Sequence, residues 1–172
     1  MAKRLFIGSY PLVVSSFFII LFQRIDIFMI QFYLEEKFVG FYAAAANFML
    51  IFSLPVIVVA EALAPTVFSK MDLVSRREFF LKIFLIGVFM SSLMALSVLF
   101  FMVPLFGQDF KVSIVAGAIL SLTPVLVALG VSSGQIIIYE GKQRFAVVKS
   151  VVACIINFCL NVVLVKHFGL VG

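Results

Sequence analysis

The chain has no tryptophan, one histidine, two cysteines and eight acidic residues among its 172. Each scarcity removes a class of function. His167 stands alone near a helix end, with no companions for a metal cluster or a catalytic triad, and reads as an interfacial residue without chemistry. Cys154 and Cys159 share one apolar run at a spacing that is no metal pattern, and read as membrane-core thiols. No G-x-x-x-x-G-K loop occurs, so an ATP-driven pump would need another subunit. With no hydrolytic or redox constellation, the chain is not expected to be an enzyme or to hold a cofactor or metal. No linker, low-complexity tract, soluble domain or internal repeat is visible either.

What the chain has in excess is apolar surface. Hydrophobic residues make up 65% of it and the mean hydropathy is +1.28. No soluble core of this length could hide so much. A helix crossing the hydrocarbon region needs about 20 mostly apolar residues, and five runs qualify: 11–30, 41–68, 79–103, 112–138 and 147–165. They are uniformly apolar rather than alternating, which favours helices over barrel strands. The expected fold is an all-α polytopic membrane protein forming a single transmembrane unit. The opening MAKRLFIGSYPLVV has a basic start like a signal peptide. Its apolar stretch runs on to Phe22 with no small-residue cleavage site, so it reads as an uncleaved first span entered at Pro11.

The net charge of +5 does not point to nucleic acid, because the basic residues sit in the loops between spans. Lys3, Arg4, Lys70, Arg76, Arg77, Lys82, Lys142, Arg144 and Lys149 fall on one side; Lys37, Lys111 and Lys166 fall on the other. The positive-inside rule then puts the N-terminus in the cytoplasm and the C-terminus outside. Tyr10, Tyr33, Tyr42 and Tyr139 fall at span ends, the depth that an amphipathic ring prefers.

The spans carry a few polar residues, and these are where chemistry could lie. Arg24 and Asp26 sit in the first run, with Gln23 three residues before Asp26 and on its face; Glu61 sits in the second. An ionisable group at mid-bilayer costs roughly 2.5–3.5 kcal/mol on insertion scales, so each needs a partner, water or the interface. Counted from Pro11, Arg24 lies about 20 Å along the helix, in the outer part of the bilayer. Its fork of donors suits phosphate or carboxylate, and Gln23, Arg24 and Asp26 are candidates for a hydrophilic path. The competing reading is snorkelling by Arg24 to the outer headgroups, with Asp26 as a local partner. Glu61 lies near the cytoplasmic end, between Pro55 and Pro65, as a candidate proton or cation site. Gln135, Asn157 and Asn161 read as helix–helix hydrogen-bonding residues. Gly40 reads as a hinge, Gly87, Ser91 and Ala95 as a small-residue packing stripe, and Gly130 with Gly134 as a G-x-x-x-G close approach.

The order of these features resembles the second half of the oligosaccharide-lipid flippases, the Wzx-type polysaccharide exporters of the MOP superfamily. RIDIFMIQFYLEEKFVGFYAAAANFM is similar to the family's acidic helix, short loop and VG-x-Y-x-A-A run, here Asp26, Val39, Gly40, Tyr42, Ala44 and Ala45. SLPVIVVAEALAPTVFSK resembles the next helix, closing on Pro65 and Ser69. FGQDF resembles the outer-loop pattern. The final 43 residues carry the family's glycine, glutamine and asparagine run at Gly130, Gln135, Gly141, Asn157, Asn161, Gly169 and Gly172.

The resemblance implies a transporter of about twelve spans in two halves around a central cavity. Such a protein moves undecaprenyl-pyrophosphate-linked oligosaccharide across the bacterial inner membrane by alternating access, for O-antigen, capsule or exopolysaccharide synthesis. Arg24 is the one residue that it marks for contact with pyrophosphate or acidic sugar. Five spans are fewer than twelve, so the chain reads as a fragment. The expected partners are the bilayer, the lipid-linked glycan and a missing or separately encoded transporter half. Two alternatives stand beside this: a cation-coupled multidrug exporter of the same superfamily using Glu61, and a non-transporting scaffold or remnant.

Overall fold

The computed structural model describes residues 2–69 and 73–169. Lys70 and Gly172, used above in the charge balance and in the resemblance, lie outside the described residues. The described backbone is helical almost throughout and has no strand. Its helices are α1 (Ala2–Tyr33), α2 (Glu36–Ser69), α3 (Leu73–Phe106), α4 (Lys111–Leu120), α5 (Thr123–Tyr139) and α6 (Gln143–Phe168), with a 3₁₀ turn at Gln108–Phe110. Five segments are long and apolar enough to cross a membrane: Tyr10–Tyr33, Glu36–Ser69, Leu73–Phe106, Gln108–Tyr139 and Gln143–His167. The chain is an all-α polytopic membrane protein.

Helix ends depart from the apolar runs in instructive ways. The first helix begins at Ala2 rather than at Pro11, which lies inside it. Proline removes one N–H and frees the carbonyl four residues earlier. Close to the water-facing end that carbonyl can be met by solvent, so the helix survives. Gly40 is no hinge. It lies within α2, and the turn falls at Leu34 and Glu35 instead. There the Leu34 N–H closes α1 on the Ile30 carbonyl at 2.9 Å, and the Phe38 N–H opens α2 on the Glu35 carbonyl at 2.9 Å. Gly107 does end α3, with φ of 99°, a value that side chains disfavour.

The fourth run is two helices, not one. It breaks at Ser121 and Leu122, just before Pro124. Pro124 has no N–H and its ring clashes with the carbonyl four residues back, so the helical ladder is interrupted there and restarts at Thr123. A break inside a membrane exposes backbone that lipid cannot satisfy. Here α3 supplies the partner: the Ser91 hydroxyl donates to the Ser121 carbonyl, and the Ser121 hydroxyl returns to the Ala118 carbonyl at 2.6 Å. Ser91→Ala is expected to lose about 1 kcal/mol, read as a lower denaturant midpoint in detergent micelles. Ser91→Thr, which keeps the hydroxyl, should recover part of the loss.

The helices form two compact groups, α1 with α6 and the segment Gly40–Ile136. In the second group, Val56, Ala60, Ala64 and Phe68 of α2 pack with Phe79 and Ile83 of α3 and Ala128 of α5. Farther along, Ala44 and Ala45 pack with Met94, Val98 and Met102. Small residues let the backbones approach. A Cβ on Gly87 would meet the Ala128 Cβ at 2.7 Å and the Pro124 carbonyl oxygen at 3.0 Å, and one on Gly117 would meet Val98 Cγ1 at 2.7 Å. Gly130 and Gly134 behave otherwise: a Cβ on either meets nothing within 4 Å. Their G-x-x-x-G spacing therefore marks no close approach in this chain.

Candidate functional site

The first group is the helix pair α1 and α6, and its seam is polar. At one level, Ser15 Oγ and Ser150 Oγ are 2.7 Å apart, and Ser150 also donates to the Ala146 carbonyl at 2.9 Å. Farther along, Asn157 Nδ2 donates to the Phe22 carbonyl at 3.0 Å and to Asp26 Oδ1 at 3.3 Å. Asn161 Nδ2 donates to Asn157 Oδ1 at 2.9 Å, to the Asn157 carbonyl at 3.0 Å and, more weakly, to Asp26 Oδ1 at 3.5 Å.

The pairing order fixes the direction. Residue numbers rise together on both helices, so α1 and α6 run parallel, as the first and fifth of five alternating crossings must. The separation holds at 135 residues from Ser15–Ser150 through Phe22–Asn157 to Asp26–Asn161. On each helix the seam positions follow i, i+7 and i+11, which keeps them on one stripe. Apolar residues close the pair around it: Ile25, Ile30, Cys154 and Val165 are buried.

Depth matters for the charges. Arg24 stands nine residues from the Tyr33 end of α1, about 14 Å by helical rise. Arg24 is exposed and has no hydrogen-bond or ion-pair partner among the described residues. Asp26, half-buried, is held by the two asparagines of α6 rather than by Arg24. Gln23 is exposed even though its spacing suggested a face shared with Asp26.

The remaining candidates are more dispersed. Glu61 is exposed on α2, about 12 Å from the Ser69 end by helical rise, and has no partner among the described residues. Gln135 is half-buried on α5 and makes no hydrogen bond among the described residues, unlike Asn157 and Asn161. Ser15 and Ser150 escaped the sequence reading. Their signal was present: Ser150 precedes Asn157 by seven residues, and Ser15 precedes Asp26 by the eleven that separate Ser150 from Asn161.

Chemically, the seam gathers hard oxygen donors inside the membrane: the Asp26 carboxylate, the Asn157 amide oxygen and the Phe22 carbonyl. Oxygens of this kind suit a proton or a hard cation. Among the described residues no cluster of three or more histidine, cysteine, aspartate or glutamate side chains forms a metal site. No protein-family model, curated protein or solved structure matches the chain.

Proposed function

We propose that this chain forms part of the wall of a flippase that carries undecaprenyl-pyrophosphate-linked oligosaccharide across a bacterial inner membrane. The observation that carries this reading is Arg24. A guanidinium inside an apolar span, exposed and without a partner among the described residues, cannot rest against hydrocarbon at tolerable cost. Water or an anion must meet it, and its planar fork matches a pyrophosphate oxygen pair. The order of sequence features from Asp26 to Gly169, which resembles that of polysaccharide exporters, supports the same substrate class. The neighbouring seam supports a working rather than an inert membrane unit: it keeps a carboxylate hydrogen-bonded inside the bilayer instead of replacing it with leucine.

In this reading, α1 presents Arg24 to a polar path while Asp26 locks α1 to α6. The basic loops face the cytoplasm, and the path is completed by a second transporter half. The test is translocation of a fluorescent lipid-linked oligosaccharide in proteoliposomes supplied with that half. Arg24→Ala is expected to slow translocation about 10–100-fold, the loss of one or two charge-assisted hydrogen bonds. Arg24→Lys should fall between, keeping charge but losing the fork. Unchanged translocation in Arg24→Ala removes this residue from the path, and no translocation by the wild-type assembly defeats the reading itself.

A further inference from the structure

A second feature of the helix pair lies at its end, away from Asp26. Tyr10, Pro11 and Val14 of α1 and Arg144 and Val147 of α6 line an open cleft of about 260 Å³. The floor and walls are apolar, and Arg144 is the one charged residue among the described lining residues. Both sides belong to span ends. Tyr10 precedes the apolar run that starts at Pro11 and Arg144 stands in the first turn of α6, and an amphipathic tyrosine and a basic residue at the ends of apolar runs suit headgroup depth.

Charge is what sets the cleft apart from an ordinary groove between helices. Three interfacial lysines have carboxylates of their own: Lys37 with Glu35 at 2.7 Å, Lys82 with Glu78 at 3.5 Å and Lys142 with Glu140 at 2.8 Å. Arg144, two residues beyond Lys142, has no partner among the described residues. Among the described residues it is a cation without a counter-charge, and it lines an apolar slot. A ligand complementary to both parts has an anionic head and a hydrocarbon tail, and the surrounding solvent is made of such molecules. Basic pockets between membrane helices take anionic lipid head groups on this principle.

We infer that this cleft is a docking site for an anionic phospholipid. The phosphate accepts from the Arg144 guanidinium and the Tyr10 hydroxyl, and one acyl chain lies along Pro11, Val14 and Val147. The site is independent of the flippase reading, because it needs only that the chain lies in a bilayer.

The test uses the purified full chain in phosphatidylcholine vesicles, probed with spin-labelled phosphatidylglycerol and spin-labelled phosphatidylcholine. The wild type is expected to hold the anionic probe in the motionally restricted fraction in preference to the zwitterionic one. Arg144→Gln should cut that preference roughly fivefold, the worth of one basic residue near a membrane surface. Lys166→Gln, at the other end of α6, should leave it intact. Val147→Phe should fill the slot and displace both probes. If that variant misfolds by circular dichroism, Arg144→Gln alone decides. Equal preference in Arg144→Gln and wild type overturns the site. Displacement of the phosphatidylglycerol probe by stoichiometric undecaprenyl phosphate also overturns it, because the cleft would then belong to the carrier lipid.

Discussion

Gly87→Ala is expected to destabilise the α3–α5 contact by about 1–3 kcal/mol, the usual range for overpacking. The added methyl would stand 2.7 Å from the Ala128 Cβ and 3.0 Å from the Pro124 carbonyl oxygen. The first neighbour is one side-chain atom and can be removed; the second is backbone and cannot. Ala128→Gly in the same chain should therefore restore part of the loss but not all of it. The comparison that gives this meaning is Gly130→Ala with Gly134→Ala. Those methyl groups meet open space, and alanine favours a helix over glycine by up to about 1 kcal/mol, so the pair should be neutral or stabilising. Reversible unfolding in mixed micelles, followed by circular dichroism, measures all four variants. A stable Gly87→Ala protein beside a crippled Gly130→Ala protein would reverse the assignment of which glycines carry the packing.

Asn157→Leu is expected to cost about 2–3 kcal/mol, because it strips donors from a charged acceptor. The lost bonds are those to Asp26 Oδ1 and to the Phe22 carbonyl, and Asn161 loses its 2.9 Å acceptor as well. The decisive variant is the double one. Removing both partners of a polar contact can be nearly neutral, whereas removing one leaves the other stranded. Asp26→Leu combined with Asn157→Leu should therefore be more stable than Asn157→Leu alone. Asp26→Asn, which keeps oxygen and shape but not charge, should leave the fold close to wild type. Transport in that variant then reports whether the seam works through its charge. If the double variant is worse than the sum of the singles, the seam is not the contact that joins α1 to α6.

The sequence made the number and type of the spans legible, because the runs are long, uniformly apolar and separated by charged loops. It misjudged where they stop. Hydropathy does not change across Pro11, so nothing in the run told whether the proline began the helix or lay inside it. The break at Ser121 and Leu122 was hidden for the same reason: both halves are equally apolar, and the hydroxyl that meets the freed backbone, Ser91, lies 30 residues away. Gly130 and Gly134 show the opposite error. Their spacing is right for a close approach, but a Cβ on either meets nothing within 4 Å. At the seam, the shared face of Asn157 and Asn161 follows from their spacing, while their partner Asp26 stands 131 and 135 residues earlier. Helical periodicity works over a few turns and cannot nominate a partner at that distance.

That long separation has a bearing on how the protein is made. At about 5–20 residues per second, ribosomal output brings Asn157 forth some 7–26 s after Asp26. Throughout that interval α1 carries a carboxylate whose α6 asparagines do not yet exist, and a nascent chain stalled before α6 would leave Asp26 without those two donors.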